Sequence, residues 1–109
     1  MTRFTGTRYE TELKKILQKE GFHVKNLAQN EAGDLIVLGG VVSIIEVKST
    51  ANDEVIIEKD QYEKLKEDSK HARVFIAVKF LRRGWEFYEL RRKCRIGKGF
   101  TLAELRKRL

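Results

Sequence analysis

Two charged side chains interrupt an otherwise apolar run. Residues 41–48 read Val-Val-Ser-Ile-Ile-Glu-Val-Lys, which puts the Glu46 carboxylate and the Lys48 ammonium two residues apart, hence on one face of a strand. A buried charge is costly unless it is paired or bound to a metal. The plain alternative is that Glu46 and Lys48 pair with each other at the fraying end of the strand. Asp34 opens the preceding apolar run, Leu-Ile-Val-Leu, and Gly39-Gly40 separates the two runs as a hairpin. With a two-residue turn, Leu38 faces Val41, and Asp34 and Glu46 fall on opposite sides of the sheet. With Leu38-Gly39-Gly40 as a three-residue loop and Val37 facing Val41, they share one face, as they would with a bulge. The convergent register is expected, because Gly40 suits the left-handed position of such a loop.

Glu10 and Gln61 are the remaining candidates. Glu10 lies within about 20° of Leu17 on a helical wheel, at the margin of an apolar stripe. As a first-turn glutamate it would instead be favoured by the helix dipole alone. Gln61 falls in the inner stripe of a second helix, one turn before Leu65, or on that helix's partly exposed flank. His23 and His71 have no convincing partners and read as surface residues. Three carboxylates, a lysine and a glutamine describe a Mg²⁺ site, since hard oxygen ligands suit Mg²⁺ and not zinc. Phosphodiester hydrolysis uses such parts: a metal to neutralise charge and acidify a water, and an ammonium to hold the water or offset the same charge.

These residues need a scaffold. Tyr9, Leu13, Ile16 and Leu17 recur at helical spacing, in a helix that Thr7 could cap and Gly21 would stop. Phe22 and Val24 then alternate with His23 and Lys25 as a first strand, and the hairpin runs follow as central strands covered on both faces. After a polar break at 49–54, residues 58–69 read as a helix. Arg73 to Phe80 forms a fourth strand, Arg82-Arg83-Gly84 a turn, and Trp85 to Leu90 a fifth strand. Thr101-Leu-Ala-Glu104 is a capping box that opens a basic helix to Leu109. The order α-β-β-β-α-β-β-α predicts a single α/β domain over residues 1–109, a mixed sheet flanked by helices. Trp85, Phe87 and Leu90 are read either as a dimer interface or as ordinary core.

The 109 residues carry 23 Lys+Arg against 16 Asp+Glu, a formal charge of +7. Residues 1–80 balance at 13 of each, so the whole excess falls in residues 81–109. That end is expected to hold a polyanion, or simply to be a solvated, solubilising face. A lone cysteine, Cys94, excludes an internal disulfide and a multi-cysteine metal site. With no apolar run of spanning or signal-peptide length, a cytoplasmic location and no membrane partner are expected.

Gly6-Thr-Arg-Tyr-Glu10, the helix ending at Gly21-Phe22, Asp34 twelve residues before Glu46-Val-Lys48, and Gln61 in the next helix together resemble the PD-(D/E)XK nucleases. Over residues 6 to 90 they are most similar to the archaeal-type Holliday junction resolvases. The resemblance implies a restriction-endonuclease-like fold. It implies that Asp34 and Glu46 bind Mg²⁺ (with Mn²⁺ as a substitute), with the Val47 carbonyl a further ligand and Glu10 in contact directly or through water. It implies that Lys48 serves the attacking water or scissile phosphate and that Gln61 orients either. It also implies a homodimer making paired nicks in branched DNA, with no small-molecule substrate. Arg3, Arg8 and Lys25 would grip phosphates near the cleavage face, and Arg82, Arg83, Arg91, Arg92, Lys93 and Arg95 would extend a basic track. Gly33 stands where the motif's name has proline, and the short segment Gln29 to Ala32 lacks the serine found there in the resolvases. Other DNA substrates for the same chemistry, and a non-catalytic nucleic-acid-binding module, are the alternatives.

Overall fold

The computed structural model describes residues 2–27, 34–91 and 95–109, with side chains from residue 8 onward in the first stretch. The elements are α1 (Thr2–Lys19), β1 (His23–Asn26), β2 (Leu35–Leu38), β3 (Val42–Thr50), α2 (Lys59–Asp68), β4 (Arg73–Phe80), β5 (Gly84–Arg91), β6 (Arg95–Ile96) and α3 (Leu102–Arg108). The six strands form one mixed sheet in chain order, β1-β2-β3-β4-β5-β6. Only β3 and β4 run parallel, and α2 is the crossover between them. No helix among the described residues is long and apolar enough to cross a membrane.

Strand parity sorts the core into two layers. Leu35, Val37, Ile45, Val47, Phe75, Ala77 and Phe87 pack on one face with Tyr9, Leu13 and Leu17 of α1 and Leu105 of α3. On the other face Val74 and Leu90 meet Leu65 of α2, and Ile76, Val78 and Phe80 form a separate cluster with Val55 and Ile57. Because β4 is covered on both sides, its apolar run is nearly unbroken. Phe87 and Leu90 are therefore core residues of opposite layers, and Trp85 packs half-buried against the first. Of the two readings of these residues, the core one holds for Phe87 and Leu90.

Helix α1 stops where expected. Gly21 takes φ 94°, the Phe22 amide donates to the Leu17 carbonyl at 3.1 Å, and the Gly21 amide donates to Gln18 at 3.0 Å. These are the paired bonds of a Schellman ending, which needs a left-handed residue that glycine adopts without a Cβ clash. Its start differs: the helix begins at Thr2, so Thr7 lies inside it and does not cap it. In α3, by contrast, the Thr101 hydroxyl accepts from the Glu104 amide at 3.3 Å as a capping box should.

The hairpin keeps the expected parity with a shifted loop. Leu38 pairs with Val42 and Val37 with Ser43, so the three-residue loop is Gly39-Gly40-Val41, one step later than anticipated. Gly40 is not left-handed; positive φ occurs at Gly21 and Gly84 among the described glycines. The loop is instead held by the end of α3: the Gly40 amide donates to the Leu109 carbonyl at 3.0 Å, and a Cβ on Gly39 would lie 2.5 Å from that oxygen. Strand β6 was not anticipated, since two residues carry no periodicity and the strand exists only through pairing with Leu90 and Arg91.

Candidate active site

The register of β2 on β3 builds the site. Strand β2 pairs with β3 as far as Leu35 opposite Ile45, which leaves Asp34 just past the last pair, beside residues 45–47 of β3. The Asp34 amide donates to the Ile45 carbonyl at 2.9 Å, so residues 45 and 47 of β3 direct their backbone groups toward β2. Strand β2 has ended by then, and the Asp34 carboxylate takes its place: Oδ2 accepts from the Val47 amide at 2.6 Å. The Val47 carbonyl points off the same edge, because alternate residues of a strand present both backbone groups to the same neighbour.

Glu46 is 2% exposed. Its Oε2 accepts from Gln61 Nε2 at 2.7 Å, and Lys48 Nζ stands 4.0 Å from the same oxygen. Gln61 is thus brought in by the first turn of α2, and the face that reads as the inner stripe is the one it uses. Glu10 arrives from the opposite layer. Since α1 starts at Thr2, Glu10 sits well within it, and a first-turn dipole does not account for the residue. Its carboxyl is hydrogen-bonded to Asp34 and its pKa is pushed up to about 7, first by burial and then by the hydrogen bond and charge of Asp34. Glu10 consequently holds its proton up to near neutrality.

Glu10 and Asp34 therefore meet, Asp34 bonds the β3 backbone at Ile45 and Val47 on either side of Glu46, and Glu46 collects Gln61 and Lys48. Among the described residues, no three His, Cys, Asp or Glu side chains already close on one point as a metal cluster.

The cationic candidates divide. Lys25 pairs opposite Ile36, on the same sheet face as Asp34, and is exposed at the edge. Arg8 is exposed with its guanidinium 5.5 Å from the Tyr9 ring centroid. Arg82 and Arg83 lie in the β4–β5 turn, at the sheet end toward which β3 runs from Glu46 to Lys48 and Thr50. Arg91 and Arg95 face each other at the other end of β5, about 25 Å away at the usual rise per residue. Of the described basic residues, Arg82 and Arg83 thus fall at one end of β5 and Arg91 and Arg95 at the other. The Arg3 side chain, Arg92 and Lys93 fall outside the described residues.

Sequence reasoning passed over Glu12 and Lys79, and it gave Trp85 no polar partner. Glu12 Oε2 accepts from Trp85 Nε1 at 2.8 Å and from Lys79 Nζ at 3.1 Å. A lysine inside the apolar run of β4 is the same signal that singles out Glu46 and Lys48.

Comparison with known proteins adds to this geometry. The family model described as archaeal Holliday junction resolvase (Hjc) matches residues 1–104. The chain is 37% identical over 78 residues, 69% of its length, to the crossover junction endodeoxyribonuclease Hjc of Methanocaldococcus jannaschii, and the match spans 59% of that relative. Its fold is similar to the solved structure of Archaeoglobus fulgidus Hjc, a Holliday junction resolvase from an archaeal hyperthermophile. The TM-score is 0.75 and the identity 26%, over 93% of this chain and 94% of the other. With a six-stranded mixed sheet, Asp34 bonded to the β3 backbone on either side of Glu46 and a family match over nearly its whole length, the chain belongs to the archaeal Holliday junction resolvase family.

Proposed function

We propose that the chain is a Mg²⁺-dependent endonuclease that cuts four-way DNA junctions as a homodimer. The observation that carries the reading is that Asp34 bonds the β3 backbone on either side of Glu46, at Ile45 and Val47, with Glu10 on Asp34 and Lys48 beside Glu46. Family membership and the names of the two relatives support it.

The donor set fits a divalent cation. Asp34, Glu46 and the Val47 carbonyl are hard oxygen donors at one strand end, and the proton that Glu10 holds against Asp34 occupies a place where positive charge is wanted. Asp34 and Glu46 would hold the ion with the Val47 carbonyl, and Glu10 would complete the set directly or through water. When bound, Mg²⁺ or Mn²⁺ supplies charge neutralisation at the phosphate and a water of lowered pKa. Lys48 is placed to hold the attacking water or a phosphate oxygen, its ammonium offsetting the negative charge that grows there. Gln61 fixes the Glu46 carboxylate by donating to it. Lys25, Arg8, Arg82 and Arg83 flank this end of the sheet and would take phosphates.

Each chain carries one such site, so paired nicks on opposed strands need two copies about a two-fold axis. A cytoplasmic setting follows from a DNA substrate. The test incubates the protein with a labelled four-way junction and a linear duplex of matching arms, in Mg²⁺ or in chelator. Symmetric nicks in the junction alone, abolished by chelator, are expected; equal cutting of both DNAs sinks the junction reading, and activity in chelator sinks the metal.

A further inference from the structure

Helix α1 is gripped on both sides of its buried stripe. Tyr9, Leu13 and Leu17 are buried against the sheet and define the centre of that stripe. At about 100° per residue, Glu10 lies about 60° to one side of it and Glu12 about 100° to the other. The two carboxyls reach different halves of the sheet. Glu10 bonds Asp34 beside β2, whereas Glu12 bonds Lys79 of β4 and Trp85 of β5, which are cross-strand partners. The grip on the Glu12 side is dense: the Lys79 ammonium lies 5.5 Å from the Trp85 ring centroid, and Tyr9 packs edge-on to the same ring at 6.4 Å. Trp85 in turn stacks on the buried Phe87 at 6.0 Å, which ties the grip to the core.

Apolar packing resists separation of a helix from a sheet far better than it resists a small roll about the helix axis, because dispersion contacts are not directional. Hydrogen bonds are directional, and one made by a carboxylate to an ammonium and an indole N–H is of the stronger, charge-assisted kind. We propose that Glu12 is a positioning residue, whose bonds to Trp85 and Lys79 fix the roll of α1 and so hold the Glu10 carboxyl against Asp34. A roll of about 15° would move a side-chain tip about 6 Å from the helix axis by about 1.5 Å. Displacements of about 1 Å in a reacting constellation can cost about 10²-fold in rate. The inference rests on the reading of Glu10 as part of the metal site.

The test compares Glu12→Ala, Glu12→Gln, Glu10→Gln and the double variant Glu10→Gln/Glu12→Ala in the full chain. Junction cleavage gives kcat and KM, calorimetric titration with Mn²⁺ in the absence of DNA gives metal affinity, and the NMR signal of the chain's single indole N–H reports the Trp85 bond. Glu12→Ala should shift the indole signal, lower kcat and weaken Mn²⁺ binding each by about tenfold, and leave KM for DNA within about twofold, as for loss of an outer partner of a metal ligand. Glu12→Gln keeps an oxygen acceptor for Trp85 and should recover most of both losses. In the Glu10→Gln background, Glu12→Ala should add nothing, because the group it positions has been changed.

Glu12→Ala with a shifted indole signal but unaltered kcat and Mn²⁺ affinity overturns the proposal, as does a loss that adds in full to that of Glu10→Gln. A Glu10→Gln protein with undiminished cleavage and metal binding overturns the site reading itself, and the positioning role with it.

Discussion

Two clusters of acids, one at β2 and β3 and the other where β5 meets α3, are balanced in different ways. At the α3 corner, Glu89 receives both arms of the Arg73 guanidinium at 2.9 and 2.8 Å and Arg108 Nη1 at 3.0 Å. Arg108 also bonds Glu104 at 2.9 Å, and Arg73 Nη1 donates to the Arg108 carbonyl at 2.9 Å. Two carboxylates thus meet two planar, permanently charged forks, the arrangement that saturates their lone pairs best. At the β2–β3 end, Glu10, Asp34 and Glu46 lean on backbone and side-chain amides and on each other, with the Lys48 ammonium 4.0 Å from Glu46. The corner is finished as a structure, whereas the β2–β3 end carries a surplus of oxygen donors that a divalent cation would settle.

The widest separation between the two clusters should come from removing one group at the β2–β3 end. Asp34→Asn or Lys48→Ala is expected to lower junction cleavage by about 10³-fold, roughly 4 kcal/mol of transition-state stabilisation, in single-turnover assays. The melting temperature should hardly change. A folded Asp34→Asn protein with near-normal metal-dependent cleavage would erase the distinction.

Arg73→Ala makes the converse cut. Leaving Glu89 with one fewer charged donor should cost about 1–2 kcal/mol by denaturant unfolding, discounted because the Arg73 side chain is 39% exposed. The kcat should stay within about twofold, and a large drop in kcat with unchanged stability would show that the corner is not merely structural.

The smallest effect is in pH. Glu10 is held protonated in the folded chain up to about 7, above its ordinary value of 4.5, chiefly by burial. The folded state therefore binds this proton more tightly than the unfolded state, so its contribution to stability is complete below about 4.5 and is lost as pH rises through about 7. Metal-free protein should melt at a lower temperature at pH 8 than at pH 5 on this account, and Glu10→Gln should flatten that slope. An equal slope in the variant would assign the pH dependence to other groups. Added Mg²⁺ should have the same flattening effect on the unsubstituted chain, by replacing the proton with a cation.

Much of this was readable beforehand where local chemistry decides the outcome. The glycine ending of α1, the capping box of α3 and the two-sided burial of β4 each follow from residues within one element. The parity of the β2–β3 hairpin was also legible, because any odd-length loop preserves it. Which three residues form that loop was not, since Leu109, some seventy positions away, holds Gly39 and Gly40 in place. The spread of the basic residues was not legible: Arg83 and Arg91 are eight positions apart, and the extended strand β5 carries them to its opposite ends. Phe87 and Leu90 look like one apolar patch in sequence yet differ in parity, and so feed separate cores.

The sheet's two outermost strands are short and cationic: β1 has four residues and includes Lys25, while β6 has two and begins with Arg95. An identical strand approaching either edge would find few backbone groups to bond and would bring like charge against like. A second copy is therefore steered away from extending the sheet side by side into ribbons, and the concentrated protein is guarded against the self-templating route to fibrils.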